Sequence, residues 1–570
     1  MAPLAGFALV IYIASFVHYR ADLTAEKRFS LSNSTRELLR NLDSTVTIEV
    51  FLTGDLSSGY RKLSVATEEL LEEFKDYAGG KLNVKFERPG EDLRQDSLKL
   101  MLYDSLMRMG VVFEQTSITT DNGKDIADQF VIPSAMVRFG NRKPFVIDLR
   151  SSKTVFKPYD VINQNPEPDL EATRNAAEAL LEFKFANAID KVTRENVPVI
   201  AYLVGNGEPI DFRINDLGES LRNEYRLAVY DLKLGYPDPR EISALMIVKP
   251  TEAFTDEDKL KLDQYVMHGG RILWFIDKLY AETDSLMRSQ KDFVAFDRNL
   301  NLDDILFRYG VRINGNLLQD LNCAKLPLVV GQNPDGSPRM QRVPWPYYPF
   351  LSGNQHSPIS KNLDRVLPLY PSTIDTVRAA GVQKTVLLSS DTTSRTLASP
   401  ALVSINSVRT EEDFRSFRQA YLPVAVLLEG NFSSLFANRL TPQVQDSVKR
   451  SAGLPFAAVS VPTRQVVVSD ADIVTNQVTQ SSGPLPMGMI PYENYRFANR
   501  EFFLNCVDYL VSNSGIFESR NKEFTLRLLD KAKVESDRNK WQAINIGLPV
   551  VIVLLAGLLL QWQRKRKYAA

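Results

Sequence analysis

The sequence predicts an α/β protein whose larger domain is a doubly wound parallel sheet, with a membrane-spanning helix at each end of the chain. Short apolar runs alternate with helical patterns from residue 169 to residue 277, a spacing typical of βαβ units. Uncharged apolar runs occupy residues 2–17 and 543–562. A content of 44% apolar and 24% charged residues is that of an ordinary globular protein. We therefore expect a folded ectodomain between two membrane anchors.

The apolar run at residues 543–562 has the length of a transmembrane helix, since twenty residues at about 1.5 Å each span roughly 30 Å. Trp541 and Trp562 flank it, and a basic cluster follows at 564–567. Such a cluster marks the cytoplasmic side. A buried core helix would not account for these cations. We predict a juxtamembrane helix at 521–542, the span at 543–562 and a basic cytoplasmic tail at 563–570.

The apolar run at residues 2–17 is short for a span and could also be a secretory signal peptide. No Lys or Arg precedes it and no clear cleavage site follows, so an uncleaved anchor over residues 1–19 is favoured. With two spans, both termini lie in the cytoplasm and the residues between them lie on the other side of the membrane.

Charge and cysteine content exclude some classes of protein. The net charge of −1 argues against a nucleic-acid partner. Two cysteines, Cys323 and Cys506, exclude a disulfide-stapled fold but leave one disulfide open. Neither a paired-histidine metal motif nor a P-loop occurs, so no metal and no cofactor is expected.

Residues 20–168 are predicted to form a smaller N-terminal α/β domain. Ser32 or Ser34 can cap a first helix, and residues 46–52 alternate as a strand does. A long helix is expected at 58–77, a strand near 81–89, a helix at 91–109 and hairpins around Gly140.

This stretch resembles the gliding-motility-associated ABC transporter auxiliary protein of the GldG type from Bacteroidetes. The residues that carry the resemblance are LTAEKRFSLSNSTRELLRNL at 23–42, VTIEVFLTGDL at 46–56 and VKFERPGED at 84–92. The resemblance implies an auxiliary subunit in the inner membrane, with its large domain in the periplasm. It also implies partnership with an ABC ATPase and a multi-span permease, and a role in gliding motility and linked secretion.

Residues 169–520 are predicted to form the larger domain. Apolar strands are expected at 199–204, 226–232, 242–250 and 271–277, and Thr255 is expected to cap the helix before the last of them. The order resembles the glutamine-amidotransferase-like fold, close to the flavodoxin type. Neither cysteine lies on a strand-to-helix elbow and no G-x-S-x-G occurs, so we expect no catalytic residue.

The loop after the strand at 199–204 is one candidate binding edge, because functional crevices lie at the carboxyl ends of parallel strands. Its residues are Gly205, Asn206, Gly207 and Glu208, on the same edge as Asp277. The alternative is a tight turn that uses glycines for positive φ.

A second candidate is the acidic turn Asp470-Ala471-Asp472 after an apolar strand at 464–468. These two carboxylates could hold a ligand or a metal, or they could cap the next helix or face solvent. His356, among prolines, is a third candidate, with a structural turn as its alternative.

The order is expected to loosen after Asp277. Residues 281–307 are predicted to be largely helical, and residues 333–371 form an insertion rich in proline and aromatic residues. Within the insertion, Trp345, Tyr347 and Tyr348 could be a partner-binding patch if exposed.

We interpret the chain as a non-catalytic, membrane-anchored auxiliary subunit whose ectodomain binds a partner or ligand outside the cytoplasm. The alternatives are a stand-alone membrane-tethered receptor and a hydrolase on an amidotransferase-like fold.

Overall fold

The computed structural model describes residues 30–119, 126–151, 153–154, 170–282, 292–404, 407–408, 410–493, 495–512, 515–521 and 537–568. The chain divides into two compact units, Met1–Lys522 and Glu523–Ala570. The predicted anchor at residues 1–19 lies outside the described residues, as does most of the predicted juxtamembrane helix.

A four-stranded sheet with the order β2-β1-β5-β6 forms the N-terminal layer. Ser32 caps the first helix, and the antiparallel pair β5–β6 is the predicted hairpin around Gly140. The elements of this layer are α1 (Asn33–Arg40), β1 (Val46–Val50), α2 (Ser58–Ala78), β2 (Leu82–Phe86), α3 (Asp96–Arg108), β3 (Glu114–Thr119), β4 (Ile126–Val131), β5 (Ser134–Phe139), β6 (Phe145–Asp148) and α4 (Leu170–Thr193).

Helix α4 packs into this N-terminal layer, although the predicted boundary at 168/169 assigns it to the larger domain. Leu181, Phe185 and Ile189 lie in the same apolar core as β1 and β5. The division into domains at that point stays a prediction.

An eight-stranded sheet with the order β17-β19-β22-β23-β10-β9-β7-β8 forms the centre of the larger part. Its strands are β7 (Val199–Val204), β8 (Arg226–Asp231), β9 (Ala244–Val248), β10 (Ile272–Phe275), β17 (Ser352–Gly353), β19 (Val382–Ser389), β22 (Pro423–Gly430) and β23 (Thr463–Val468). The helices beside them are α5 (Asn215–Glu224), α6 (Asp256–Met267), α9 (Pro442–Ala452) and α10 (Asn499–Val511).

The parallel part of this sheet agrees with the prediction from the apolar runs. β8, β7, β9, β10 and β23 pair in parallel, in an order that doubly wound sheets use. The sheet as a whole is mixed, because β22, β19 and β17 add three antiparallel pairings at one side. The assignment to the amidotransferase-like class stays a prediction.

The segments between these strands contain more β structure than expected. Where residues 281–307 were predicted to be helical, Phe293–Asp297 is a strand and only Asp303–Tyr309 is a helix among the described residues. The remaining elements are β11 (Leu279–Tyr280), β12 (Phe293–Asp297), α7 (Asp303–Tyr309), β13 (Val311–Ile313), β14 (Asn316–Asp320), β15 (Cys323–Gln332), β16 (Pro338–Pro349), β18 (Ile374–Thr376), β20 (Ser394–Ala398), β21 (Ala401–Val403), α8 (Glu411–Arg415), β24 (Val478–Thr479) and β25 (Gly483–Pro484).

The aromatic residues of the insertion are buried. Trp345, Tyr347 and Tyr348 are at most 2% exposed and pack with Tyr370 in one core, so they are not a partner-binding patch. Both cysteines are buried free thiols, and no disulfide joins them.

The second unit contains α11 (Arg538–Tyr568), which includes the predicted span at 543–562. Within the described residues it is the one helix long and apolar enough to cross a membrane, over Lys540–Arg566. Its apolar side chains, such as Leu554, are exposed.

Candidate functional site

Three neighbouring parallel strands end in charged residues at one edge of the large sheet. Phe275 is paired with Val248 on one side and with Val468 on the other, so the three strand ends are in register. Lys249 follows β9, Asp277 follows β10, and the acidic turn follows β23. The topology thus gathers residues that lie more than 220 positions apart.

Lys249 is the centre of this group. Its side chain is 9% exposed, and its Nζ lies 2.6 Å from Asp472 Oδ1 and 3.3 Å from Asp277 Oδ2. Its φ of +50° is in the left-handed region, which a side chain adopts at some cost. The Lys249 N–H donates to the Phe275 carbonyl at 2.9 Å, and the backbone bends at this residue. Its ammonium lies between the two carboxylates.

Asp277 is held on both sides. Its Oδ1 accepts from the Ala471 N–H at 2.7 Å, and Arg298 lies 4.0 Å from its Oδ2. Burial raises the pKa of Asp277, and the opposing attraction of Lys249 does not cancel this.

The acidic turn uses its two carboxylates differently. Asp470 Oδ1 caps the short 3₁₀ turn Ala471–Ile473 by accepting from the Asp472 N–H at 2.7 Å. Asp470 therefore has the capping role that the sequence offered as an alternative to ligand binding. Asp472 Oδ1 instead accepts from Lys249 and from Thr475 Oγ1. The Asp470 side chain is buried and its Oδ2 has no hydrogen-bond partner among the described residues.

These environments determine which protonation states the site uses. Burial, followed by the charges of Asp472 and Asp277, raises the pKa of Asp470 well above its usual value and favours the neutral acid. Burial alone would lower the pKa of Lys249, but the two carboxylates outweigh it and raise this pKa. Lys249 is therefore a fixed ammonium and not a free base or nucleophile.

The ammonium also occupies the space between carboxylates where a metal would bind. Across the described ranges, no group of three or more His, Cys, Asp or Glu has the geometry to hold a metal ion. The polar atoms here are arranged for hydrogen bonding and charge pairing.

A cleft of about 370 Å³ opens beside the acidic turn. Its polar lining includes Lys249, Asp472, Asn476, Arg213, Glu282 and Tyr492. Leu367, Leu369 and Ile490 add an apolar wall. A cleft with an apolar wall and a few convergent polar groups is the usual form of a small-ligand site.

Asn476 connects the acidic turn with the segment that follows the glycine loop. Its N–H donates to the Arg213 carbonyl at 2.7 Å, and its Nδ2 donates to the Phe212 carbonyl at 2.8 Å. Its Oδ1 accepts from the Asp216 N–H at 3.2 Å. The backbone and side chain of Asn476 together fix the wall of the cleft that carries Arg213.

The predicted loop Gly205–Glu208 lies at the same sheet edge and is a tight turn. Gly205 and Gly207 have φ of +118° and +78°. The Asn206 carbonyl accepts from Thr251 and Glu252, and Glu208 Oε2 accepts from the Asn206 N–H at 2.8 Å. Its four residues are not among those that line the cleft.

His356 lies apart from the acidic turn. It is exposed in a turn after the edge strand β17, and its N–H donates to Asn354 Oδ1 at 2.9 Å. β17 is three strands away from β23 in the sheet, so the structure does not bring His356 to the cleft.

Sequence reasoning did not find Lys249, Arg298 or Arg213. The signal for Lys249 was a lysine at the carboxyl end of the buried run ALMIV, directly before Pro250. The other two follow from tertiary contacts and have no local signal.

A protein-family model described as "ABC-type uncharacterized transport system" matches residues 197–506, a range that contains every strand of the large sheet. A second model, a domain of unknown function (DUF7088), matches residues 25–138. None of the curated proteins matches the sequence.

Two solved structures share a distant likeness with the chain. One is the mmIFT52 N-terminal domain, at 12% identity and a TM-score of 0.29, covering 55% of this chain and 97% of that one. The other is the exo-beta-1,4-mannosidase Op5Man5 from Opitutaceae bacterium strain TAV5, at 10% identity and a TM-score of 0.20, covering 52% and 35%.

Proposed function

We propose, because this chain belongs to the protein family of ABC-type uncharacterized transport systems, that it is a non-catalytic, membrane-anchored auxiliary subunit of an ABC-type transporter complex. The single observation that carries the proposal is the family match over 197–506, which spans the whole large sheet. Its partners would be an ABC ATPase and a multi-span permease, since the sequence has no P-loop lysine motif of its own.

The finer proposal is a GldG-type subunit of Bacteroidetes, acting in gliding motility and linked secretion. It rests on the resemblance of residues 23–42, 46–56 and 84–92. In this proposal the chain has two spans, at 2–17 and 543–562, a periplasmic ectodomain and two cytoplasmic termini.

Helix α11 supports the membrane-anchored part of the proposal. Its exposed face includes Leu554, Leu555 and Leu558, each more than half exposed. Moving such apolar side chains from water into lipid is favourable by roughly 25 cal/mol per Å² of apolar surface buried. ATP-driven movement of the permease would reach the ectodomain through this helix.

The cleft beside Asp472 favours a second candidate function, a stand-alone ligand-binding receptor. Its lining combines the charged side chains of Lys249, Arg213 and Glu282 with the polar side chains of Asn476 and Tyr492. A hydrolase is less well supported, because Lys249 is held as an ammonium and burial favours the neutral form of Asp470.

A pull-down of the full chain from its native membrane in mild detergent tests the proposal. We expect an ABC ATPase and a multi-span permease to be recovered with the wild type and with Leu554→Val. Leu554→Arg places a charge in the middle of the helix, at a cost of about 2.5–3.5 kcal/mol for insertion, and should lose both.

Recovery of the chain alone in all three samples would refute the auxiliary-subunit proposal and favour the receptor. Equal recovery of both subunits with Leu554→Arg would refute the role of α11 as the anchor that joins them.

A further inference from the structure

A second cavity lies between the N-terminal layer and the helices of the larger part. Its volume is about 240 Å³, and it shares no lining residue with the cleft. Strand β6, helix α4, helix α10 and the 3₁₀ helix Gly515–Asn521 form its walls. It is larger than a single ordered water requires.

Arg520 lies in the wall of this cavity, and within the described residues no carboxylate lies at ion-pair distance from it, although the charges of Asp508 and Glu501 act on it from further away. The residue is 3% exposed, and its Nε has no hydrogen-bond partner among the described residues. Its guanidinium lies 5.1 Å from the centre of the Phe183 ring. Burial lowers the pKa of Arg520 to about 10, which leaves it charged at neutral pH. A buried cation of this kind is costly unless something pairs with it.

Lys184 lines the same cavity and also lacks a carboxylate at ion-pair distance within the described part of the chain. Its Nζ donates to the backbone carbonyls of Asp148, at 2.7 Å, and of Arg150. An ammonium has three donors, so one remains. Burial lowers the pKa of Lys184 to about 8.

Three of the four carboxylates that line the cavity are paired with other groups. Asp148 pairs with Arg150 at 2.8 Å. Asp508 accepts from Lys191 at 2.9 Å, from Tyr225 and from Asn187, and Glu224 pairs with the same Lys191. Glu501 is half-buried in the wall and adds one negative charge. Among the described lining residues, Arg520 and Lys184 are the cations with no carboxylate at ion-pair distance.

We propose that this cavity binds a small oxyanion, a phosphate or sulfate group, between the Arg520 guanidinium and the Lys184 ammonium. The planar fork of an arginine fits such an anion with two parallel hydrogen bonds, and a lysine adds a point charge. The anion would remove the cost of the unpaired guanidinium. It would also connect β6 and α4 with the 3₁₀ helix at 515–521.

The test is isothermal titration of the purified full chain in detergent with sodium sulfate, at constant ionic strength kept with sodium chloride. We expect saturable binding with one site. Arg520→Gln should weaken it at least tenfold, because the substitution removes the charge-assisted hydrogen bonds of the guanidinium. Arg450→Gln, which changes an exposed arginine on α9, is the matched control and should bind as the wild type does.

Arg520→Lys keeps the charge and loses the fork, so we expect sulfate affinity to fall several-fold. This variant decides the question if Arg520→Gln does not fold. Wild-type protein that shows no saturable binding, or equal affinity in the wild type and both Arg520 variants, would overturn the proposal.

Inorganic phosphate and glycerol phosphate then distinguish a free anion from a phosphate on a larger molecule. Competition of either with sulfate supports the site, and tighter binding of glycerol phosphate identifies a headgroup-like ligand. Failure of both to compete would overturn the phosphate assignment.

Discussion

Replacing Lys249 by methionine tests whether the ammonium holds the three strand ends together. The substitution keeps most of the side-chain length and removes the charge. It leaves Asp472 and Asp277 facing each other without the cation that lies 2.6 and 3.3 Å from them. Removing one partner of a buried ion pair typically lowers the free energy of unfolding by about 3–5 kcal/mol.

The contacts that remain place the expected loss at the lower end of that range. Asp472 keeps its hydrogen bond from Thr475, and Asp277 keeps the one from the Ala471 N–H. We therefore expect a loss of about 3 kcal/mol, which raises the local opening equilibrium more than about a hundredfold.

Native-state hydrogen exchange followed by mass spectrometry measures the local free energy of opening, on peptides that contain β9, β10 and β23. Such local free energies avoid the assumption that a chain of this size unfolds in one step. The control is Lys449→Met on the exposed surface of α9, for which we expect a change below about 0.5 kcal/mol.

A loss below about 1 kcal/mol for Lys249→Met would refute the reasoning, since that is the size of a surface ion pair. Adding Asp472→Asn to the variant should recover about 1–2 kcal/mol, because the two sites interact directly. Additive losses would contradict the direct interaction.

Three further predictions follow from single side chains. The folded-state pKa of Asp470 is raised, so its contribution to stability is fully present below the ordinary carboxyl pKa of about 4 and is lost as pH rises from there through the raised pKa; Asp470→Asn should be at least as stable as the wild type at pH 8, and its local free energy from hydrogen exchange should depend less on pH. A steeper dependence would contradict the neutral acid. Gly207→Ala places a Cβ 2.1 Å from Thr251 Oγ1 at a φ of +78°, so local hydrogen exchange should show a larger loss of stability than the roughly 1 kcal/mol expected for Gly453→Ala, where φ is positive but nothing lies within 4 Å. Equal losses would show that Thr251 moves freely. Sulfate binding should weaken as pH rises through about 8, because Lys184 then loses its proton while sulfate keeps its charge; titration between pH 7 and pH 9 checks this, and a constant affinity would exclude Lys184 from the site.

The elements with a strong local pattern could be predicted from the sequence. The strand Val199–Val204 has the predicted bounds, and α11 contains the predicted span, because long apolar runs favour one structure whatever surrounds them. Thr255 caps α6 as expected, with Asp258 completing the capping box. The helical prediction for 281–307 was wrong at Phe293–Asp297, because this strand, β12, is stabilised by pairing with β21, which lies about a hundred residues further along the chain.

The candidate site could be predicted only in part. The acidic turn has a local signal, two carboxylates after a buried strand. Its partner Lys249 is 223 residues away, and their contact depends on the register of three strands, which no local pattern contains. Burial of Trp345 and its neighbours likewise depends on which core they meet.

The contact between the 3₁₀ helix at 515–521 and the first helix determines when this protein can finish folding. Ser34 Oγ donates to the Gly515 carbonyl across 481 residues, and Phe517 packs on Phe183 of α4. A ribosome that adds ~5–20 residues per second needs roughly 25–100 s to make the chain between them. The N-terminal layer therefore waits, incompletely covered, until the segment at 515–521 has been synthesised, and this segment then packs on helices made hundreds of residues earlier.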